Sequence, residues 1–295
     1  MIVRTTRKDG IGNQLLSIRD FLVEIDSHIG REKFVEVDFR HYKYSPPLLS
    51  VFFAAFLDGN SVCKAVNVNT CEYLGFQKFP EGIRPNEIID WKKEIEPYKN
   101  KTYLPLICYS SLKDDMNTQI RNNVISQIVS MISDITGMPI NYLIAINYLL
   151  TEISENVVEH ANTRNGWVSF QYYKKKEYLD LCIADSGIGL LQSYKKYKGK
   201  KDYSYIRTDL DAIQNVIKGE STKNEGLNER GYGVHTSHKM IINGLNGNFV
   251  MLSGRGLMKD NTLIDFQCNF KGTLVMFRIP CRNYNDKFTY SFFVE

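Results

Sequence analysis

The sequence predicts a mixed α/β fold with an α+β second half, and three observations predict it. Strand-like and helix-like patterns alternate through the first 100 residues. Two long segments between 116 and 161 then carry apolar side chains at helical spacing, and the chain ends in strand-like runs. Apolar residues recurring at i, i+3 and i+4 mark a buried helical stripe, whereas alternation with period two marks a strand with one covered face.

Taken in order, residues 1–5 are a short apolar start, and 14–29 place Leu, Ile and Phe at helical spacing. FVEVDF at 34–39 alternates as a strand does. After the turn at Pro46 and Pro47, LLSVFFAAFL at 48–57 reads as a buried helix. It falls short of the ~18–20 apolar residues that span a bilayer, so no membrane contact is expected. A strand at 61–68 and a short helix at 71–76 follow. Residues 80–101 are rich in Pro, Gly and charge and read as a connector, which divides the chain into units 1–100 and 101–295.

In the second unit, 103–109 is an apolar opening run, 116–135 a helix ended by Gly137 and Pro139, and 141–161 a second helix. Leu143, Ile146, Leu150, Ile153 and Val157 form the apolar face of that second helix. Strands at 167–173 and 178–184 flank a Lys-rich turn. The polar stretch 190–230 holds one helix-like segment, 209–217; a helix-like run at 235–242 precedes strands at 248–253, 262–270 and 273–279.

Composition narrows the function classes. A formal charge of +4 is too slight an excess to predict nucleic acid as a partner. The six cysteines are scattered without a CxxC pair, as reduced structural thiols are. MIVRTTRKDG lacks the pattern of a signal peptide, so a cytoplasmic protein is expected.

Four short motifs carry chemistry. Glu152 and Asn156 lie four apart, hence on one face of a helix. An amide oxygen there can ligate Mg²⁺, which takes few protein ligands beside phosphates and water, and a carboxylate can accept a proton. Alone, this spacing also suits a solvated face. Asp185-Ser-Gly-Ile-Gly189 ends an apolar strand in an acid followed by two glycines, a tight turn that leaves room for a ligand. Gly231 and Gly233, within Arg230–Val234, precede a helix and so expose backbone N–H groups to an anion. Gly272-Thr273 enters the last strand.

The order of these motifs resembles the GHKL superfamily, whose Bergerat-fold ATPase domain is an α/β sandwich. TEISENVVEHA (151–161), IADSGIGL (183–190), RGYGVHTSHKMI (230–241), MLSGRG (251–256) and GTLVMFRIP (272–280) are similar to its boxes, in particular to the anti-sigma kinase branch. The resemblance implies ATP and Mg²⁺ as cofactors. Asn156 would ligate the metal, and Glu152 would orient or deprotonate the attacking nucleophile. Asp185 would read adenine, with Gly187 and Gly189 shaping the pocket and Thr273 supporting that end. Arg230, Gly231, Gly233 and Val234 would lie along the phosphates, and the stretch 190–230 would be a lid. Its lysines Lys195, Lys196, Lys198, Lys200 and Lys201 would either meet phosphate or form a solvated face. His160 falls on a third matching position and reads either as a nucleotide contact or as a packed histidine at a helix end.

Residues 35–57 and 67–80 resemble a STAS domain, although Pro46-Pro47 stands where a phospho-accepting serine would be expected. The expected function is therefore Mg-ATP binding with slow hydrolysis, coupled to a conformational or partner-binding change, with a protein partner or a homodimer. A serine or threonine kinase of the anti-sigma type and a non-catalytic nucleotide-gated module are the alternatives, and bacterial signalling and phage defence are both open as settings. A sensor histidine kinase is disfavoured, because His28 and His41 lack the expected helical context.

Overall fold

Apolar residues on both sides of the central strands require cover on both sides, and the chain supplies it mainly from residues 11–59 on one side and 115–160 on the other. The computed structural model describes residues 1–3, 10–30, 33–87, 90–220, 222, 233–285 and 287–294. The first hundred residues provide α1 (Ile11–Ile29), β1 (Val35–Asp38), α2 (Pro47–Gly59), β2 (Cys63–Val66) and the short helices α3 (Glu72–Phe76) and α4 (Trp91–Ile95). Strands β1 and β2 pair in parallel, Val35 opposite Cys63. Pro47 opens α2 at the first helical turn, where a missing N–H costs nothing. Its residues 47–56 are all buried, as an all-round apolar helix must be.

Next come β3 (Ile107–Ser110), α5 (Asp115–Thr136), α6 (Ile140–His160), β4 (Asn165–Tyr173), β5 (Tyr178–Asp185), α7 (Gly189–Lys196), α8 (Asp209–Ile217), α9 (Gly233–Lys239), β6 (Asn248–Lys259) and β7 (Thr262–Pro280). Asp114 caps α5 by accepting from the Asn117 N–H, and Gly137 ends it in the left-handed conformation. The strands form one antiparallel sheet in the order β3-β4-β5-β7-β6.

The alternation along β5 assigns the two faces. Leu179, Leu181 and Ile183 join Ile146, Leu150 and Ile153 of α6 in one core; Cys182 and Ala184 join Phe52, Phe53 and Phe21 of α2 and α1 in another. Helix α2 crosses β4, β5 and β7, and α1 lies against β7. The segment 1–100 thus shares its core with the far face of the sheet. All six cysteines are buried free thiols. Among the described residues no helix is long and apolar enough to cross a membrane.

Three expectations change. The polar stretch after Gly189 holds two helices, α7 and α8, where one was expected; Leu190, Leu191 and Tyr194 give α7 an inward side hidden among lysines. The connector contains α4, with Trp91 and Ile95 buried. The last two expected strands are one, β7, which passes Gly272 in an irregular turn of φ +127° without ending.

Candidate functional site

Helix α6 lies on the near face and brings Asn156, Val157 and His160 towards the end of β5. Because β5 alternates, Asp185 falls on the same side as Ile183 and faces α6. The chain then turns under the end of α6, where Ile188 N–H donates to the Ala161 carbonyl at 2.7 Å. Gly187 permits that approach, since a Cβ there would lie 2.0 Å from the Ala161 oxygen.

These elements surround a narrow cleft with about 60 Å³ of room for the centre of a water-sized molecule, within about 760 Å³ of space between atoms that includes the solvent at its mouth. Asn156, His160, Asp185, Gly189, Gly233, Val234 and Thr273 line it. Ile153, Val157, Ile183, Met251 and Val275 supply an apolar floor. Segments more than 100 residues apart in the chain therefore meet in a single cleft. Two expected residues stand behind its wall. Gly187 serves the turn just described, and Glu152 is buried under the first residue of α9. A Cβ at position 233 would meet Glu152 Oε2 at 1.9 Å, so a larger residue there would displace the Glu152 carboxylate. Arg230 and Gly231 lie outside the described residues.

The polar groups of the cleft are buried in an unusual state. Asp185 is 2% exposed, and its carboxyl accepts from the Gly187 N–H at 2.7 Å. Burial raises its pKa to about 7, while the Gly187 and Thr273 N–H groups pull it down. Among the described residues it has no cationic partner. Asn156 Nδ2 is buried with no hydrogen-bond partner among those residues, a position that costs free energy until something accepts from it.

Several residues the motifs did not single out complete the site. Ser253 Oγ accepts from the Leu190 N–H at 3.0 Å and donates to the Gly272 carbonyl at 2.9 Å, joining α7, β6 and β7. Across the mouth, Thr222 Oγ1 bridges His160 Nδ1 at 3.2 Å and Ser193 Oγ at 3.1 Å. Tyr194 lines the cleft from α7 and packs with Tyr203, Ile206 and Ala212 in a small core of its own. The i, i+4 pair Leu190 and Tyr194 was the available signal for this covering helix. The lysines at 195, 196, 198, 200 and 201 are exposed, and Lys196 and Lys198 edge a groove that continues the mouth beyond His160.

No family model and no curated protein matches the chain. The site is therefore read from its own chemistry. It combines a deep apolar slot, a carboxylate at its base, an amide and a glycine-led helix to one side, and a helical cover. Among the described residues no group of three or more His, Cys, Asp or Glu side chains is placed to hold a metal. A hard cation here would need oxygens from a ligand as well as from Asn156.

Proposed function

We propose that the cleft binds Mg-ATP, that the chain is a GHKL-type protein with a Bergerat-fold nucleotide domain, and that slow hydrolysis is coupled to a conformational or partner-binding change. The observation that carries this reading is the meeting of Asn156 and Asp185 in one cleft, the first on a helix and the second at a strand end. The apolar floor suits a purine, and the Asp185 carboxylate suits an exocyclic amine, which donates and needs an acceptor. The orphaned Asn156 amide suits phosphate and its metal. Mg²⁺, when bound, would neutralise phosphate charge and polarise the terminal phosphoryl group.

The chain's own groups would act around that ligand. Asp185 would orient the base, Asn156 Oδ1 would hold the metal, and the buried apolar floor would exclude water from the base. Glu152 stands behind the cleft wall under Gly233, so it would take up or orient the nucleophile's proton only after that wall shifts. Thr222 bridges His160 and Ser193 of α7 at the mouth, so a ligand that displaces this bridge would couple occupancy to the position of the cover.

Equilibrium binding of labelled ATP with Mg²⁺ tests the reading. Asp185→Asn is expected to lose at least about tenfold in affinity, roughly 1.4 kcal/mol, because an N–H₂ donor replaces an acceptor oxygen. Unchanged affinity refutes the assignment. Glu152→Ala is expected to keep binding and lose turnover; equal release of phosphate removes the proton-acceptor role. Label on the protein instead of free phosphate would favour the kinase alternative.

A further inference from the structure

At the end of the sheet remote from the cleft, five tyrosines gather from separate parts of the chain. Tyr44 precedes α2, Tyr73 lies on α3, Tyr98 and Tyr103 follow α4, and Tyr173 ends β4; together they line one open groove with Lys101 at its edge. The β4–β5 hairpin, paired from Gly166–Asp185 to Tyr173–Tyr178, keeps this groove roughly 24 Å from Asp185 at ~3.4 Å per residue.

The rings are inclined to one another. Tyr44 and Tyr73 stand at 52° with centroids 4.9 Å apart, and Tyr98 and Tyr103 at 78° and 5.9 Å. Inclined rings wall the groove on more than one side. Three of the hydroxyls are committed within those walls: Tyr44 Oη donates to Tyr173 Oη at 2.9 Å, and Tyr73 Oη to Gln171 Oε1 at 2.7 Å. Gln171 Nε2 in turn donates to the Thr102 carbonyl at 3.0 Å. What these rings have left to offer is their faces, the negative side of the aromatic quadrupole. The cluster already attracts the chain's own cations. Lys176 Nζ lies 5.9 Å from the Tyr173 centroid, and Arg278 Cζ 4.0 Å from that of Tyr178, the ring beside Tyr173.

No Asp or Glu lines the groove. A primary ammonium ion would lose its water shell there with no anion to replace it, whereas a quaternary ammonium is weakly hydrated and gains from ring faces alone. Lys101 is exposed and has no carboxylate partner among the described residues. Its charge suits an anionic group a few atoms from the quaternary nitrogen. We propose that this groove binds a zwitterion of the phosphocholine type, with the trimethylammonium group among the tyrosine rings and the phosphate beside Lys101.

Calorimetric titration with phosphocholine and phosphoethanolamine tests this, because the two differ only in methylation of the nitrogen. Phosphocholine is expected to bind roughly tenfold more tightly, the scale of a desolvated cation–π contact. Tyr103→Leu should abolish that preference and Tyr103→Phe should retain it, the pair separating loss of a ring face from loss of fold. Lys101→Gln should weaken phosphocholine several-fold and leave choline unchanged. Sedimentation with phosphatidylcholine vesicles distinguishes a lipid headgroup from the free compound, and binding in either form supports the site. Equal binding of phosphoethanolamine, or binding of neither phosphocholine nor vesicles, overturns it.

Discussion

The two faces of the sheet treat a buried aspartate in opposite ways. Strand β5 carries one on each side. Asp180, on the far face, is fully buried and receives a two-pronged grip from Arg278, Nε at 2.7 Å and Nη2 at 2.8 Å. Asp185, on the near face, has only backbone N–H groups to answer its charge. The far face is otherwise closed with aromatic rings: Phe21 meets Phe52, Phe53 and Phe56 edge to face at 5.0–5.7 Å. The near face leaves a cavity and an unanswered amide. One side is organised to hold the molecule together, and the other sets an aspartate and an amide beside a cavity where a ligand can meet them.

That contrast can be broken by experiment. The largest effect is expected from Phe52→Ala, which empties a close-packed site and should cost about 3–5 kcal/mol in denaturant unfolding. The nucleotide affinity of the folded fraction should not change; if it falls, the two faces are not independent. Next in size is Asp185→Asn. The folded carboxyl titrates near 7, above its unfolded value, so ionising it weakens the fold as pH rises from about 4 to 7. The asparagine variant escapes that loss, and unfolding at pH 8 should show it more stable by no more than about 4 kcal/mol. A less stable variant would mean that the carboxylate supports the near face as Asp180 supports the far one.

The same group sets a pH dependence. If the ionised form takes the ligand, affinity should fall roughly tenfold from pH 8 to pH 6, and this slope should vanish in Asp185→Asn. A flat profile in the parent protein would break the link between that carboxyl and binding. The smallest effect is expected from Thr222→Val, which removes the bridge between His160 and Ser193. About 0.5–1.5 kcal/mol of neutral hydrogen bonding is at stake, readable as a several-fold faster release of nucleotide in stopped flow. An unchanged release rate would show that the bridge does not hold the cover.

Legibility in the sequence followed the same division. The far face could be read from α2, because residues 48–57 leave no polar side for solvent and so must be buried all round. The faces of α6 were visible in its 3.6 period, and β5 in its apolar run. Asn156, Asp185 and Thr273 were found as local motifs, and nothing in local spacing requires them to meet; long-range pairing of β5 with β7 brings Thr273 opposite Asp185. What stayed hidden was the cover. The end of α7 runs into lysines that mask its short inward side, and Ser253 and Thr222 act through contacts 63 and 62 residues away in sequence. Glu152 was legible as a carboxylate on the right helix, but its place beneath Gly233 depends on how closely α9 crosses α6.

Strand β7 has a consequence for local stability. Its residues 273–278 have a neighbour on each edge, β5 and β6, whereas 262–270 have β6 alone, and the ladder shifts register between Ser253 and Gly256. The amide protons of one continuous strand should therefore exchange with solvent as two blocks. The block beside Asp185 should open only when the sheet does, and the outer ribbon at far smaller free energy.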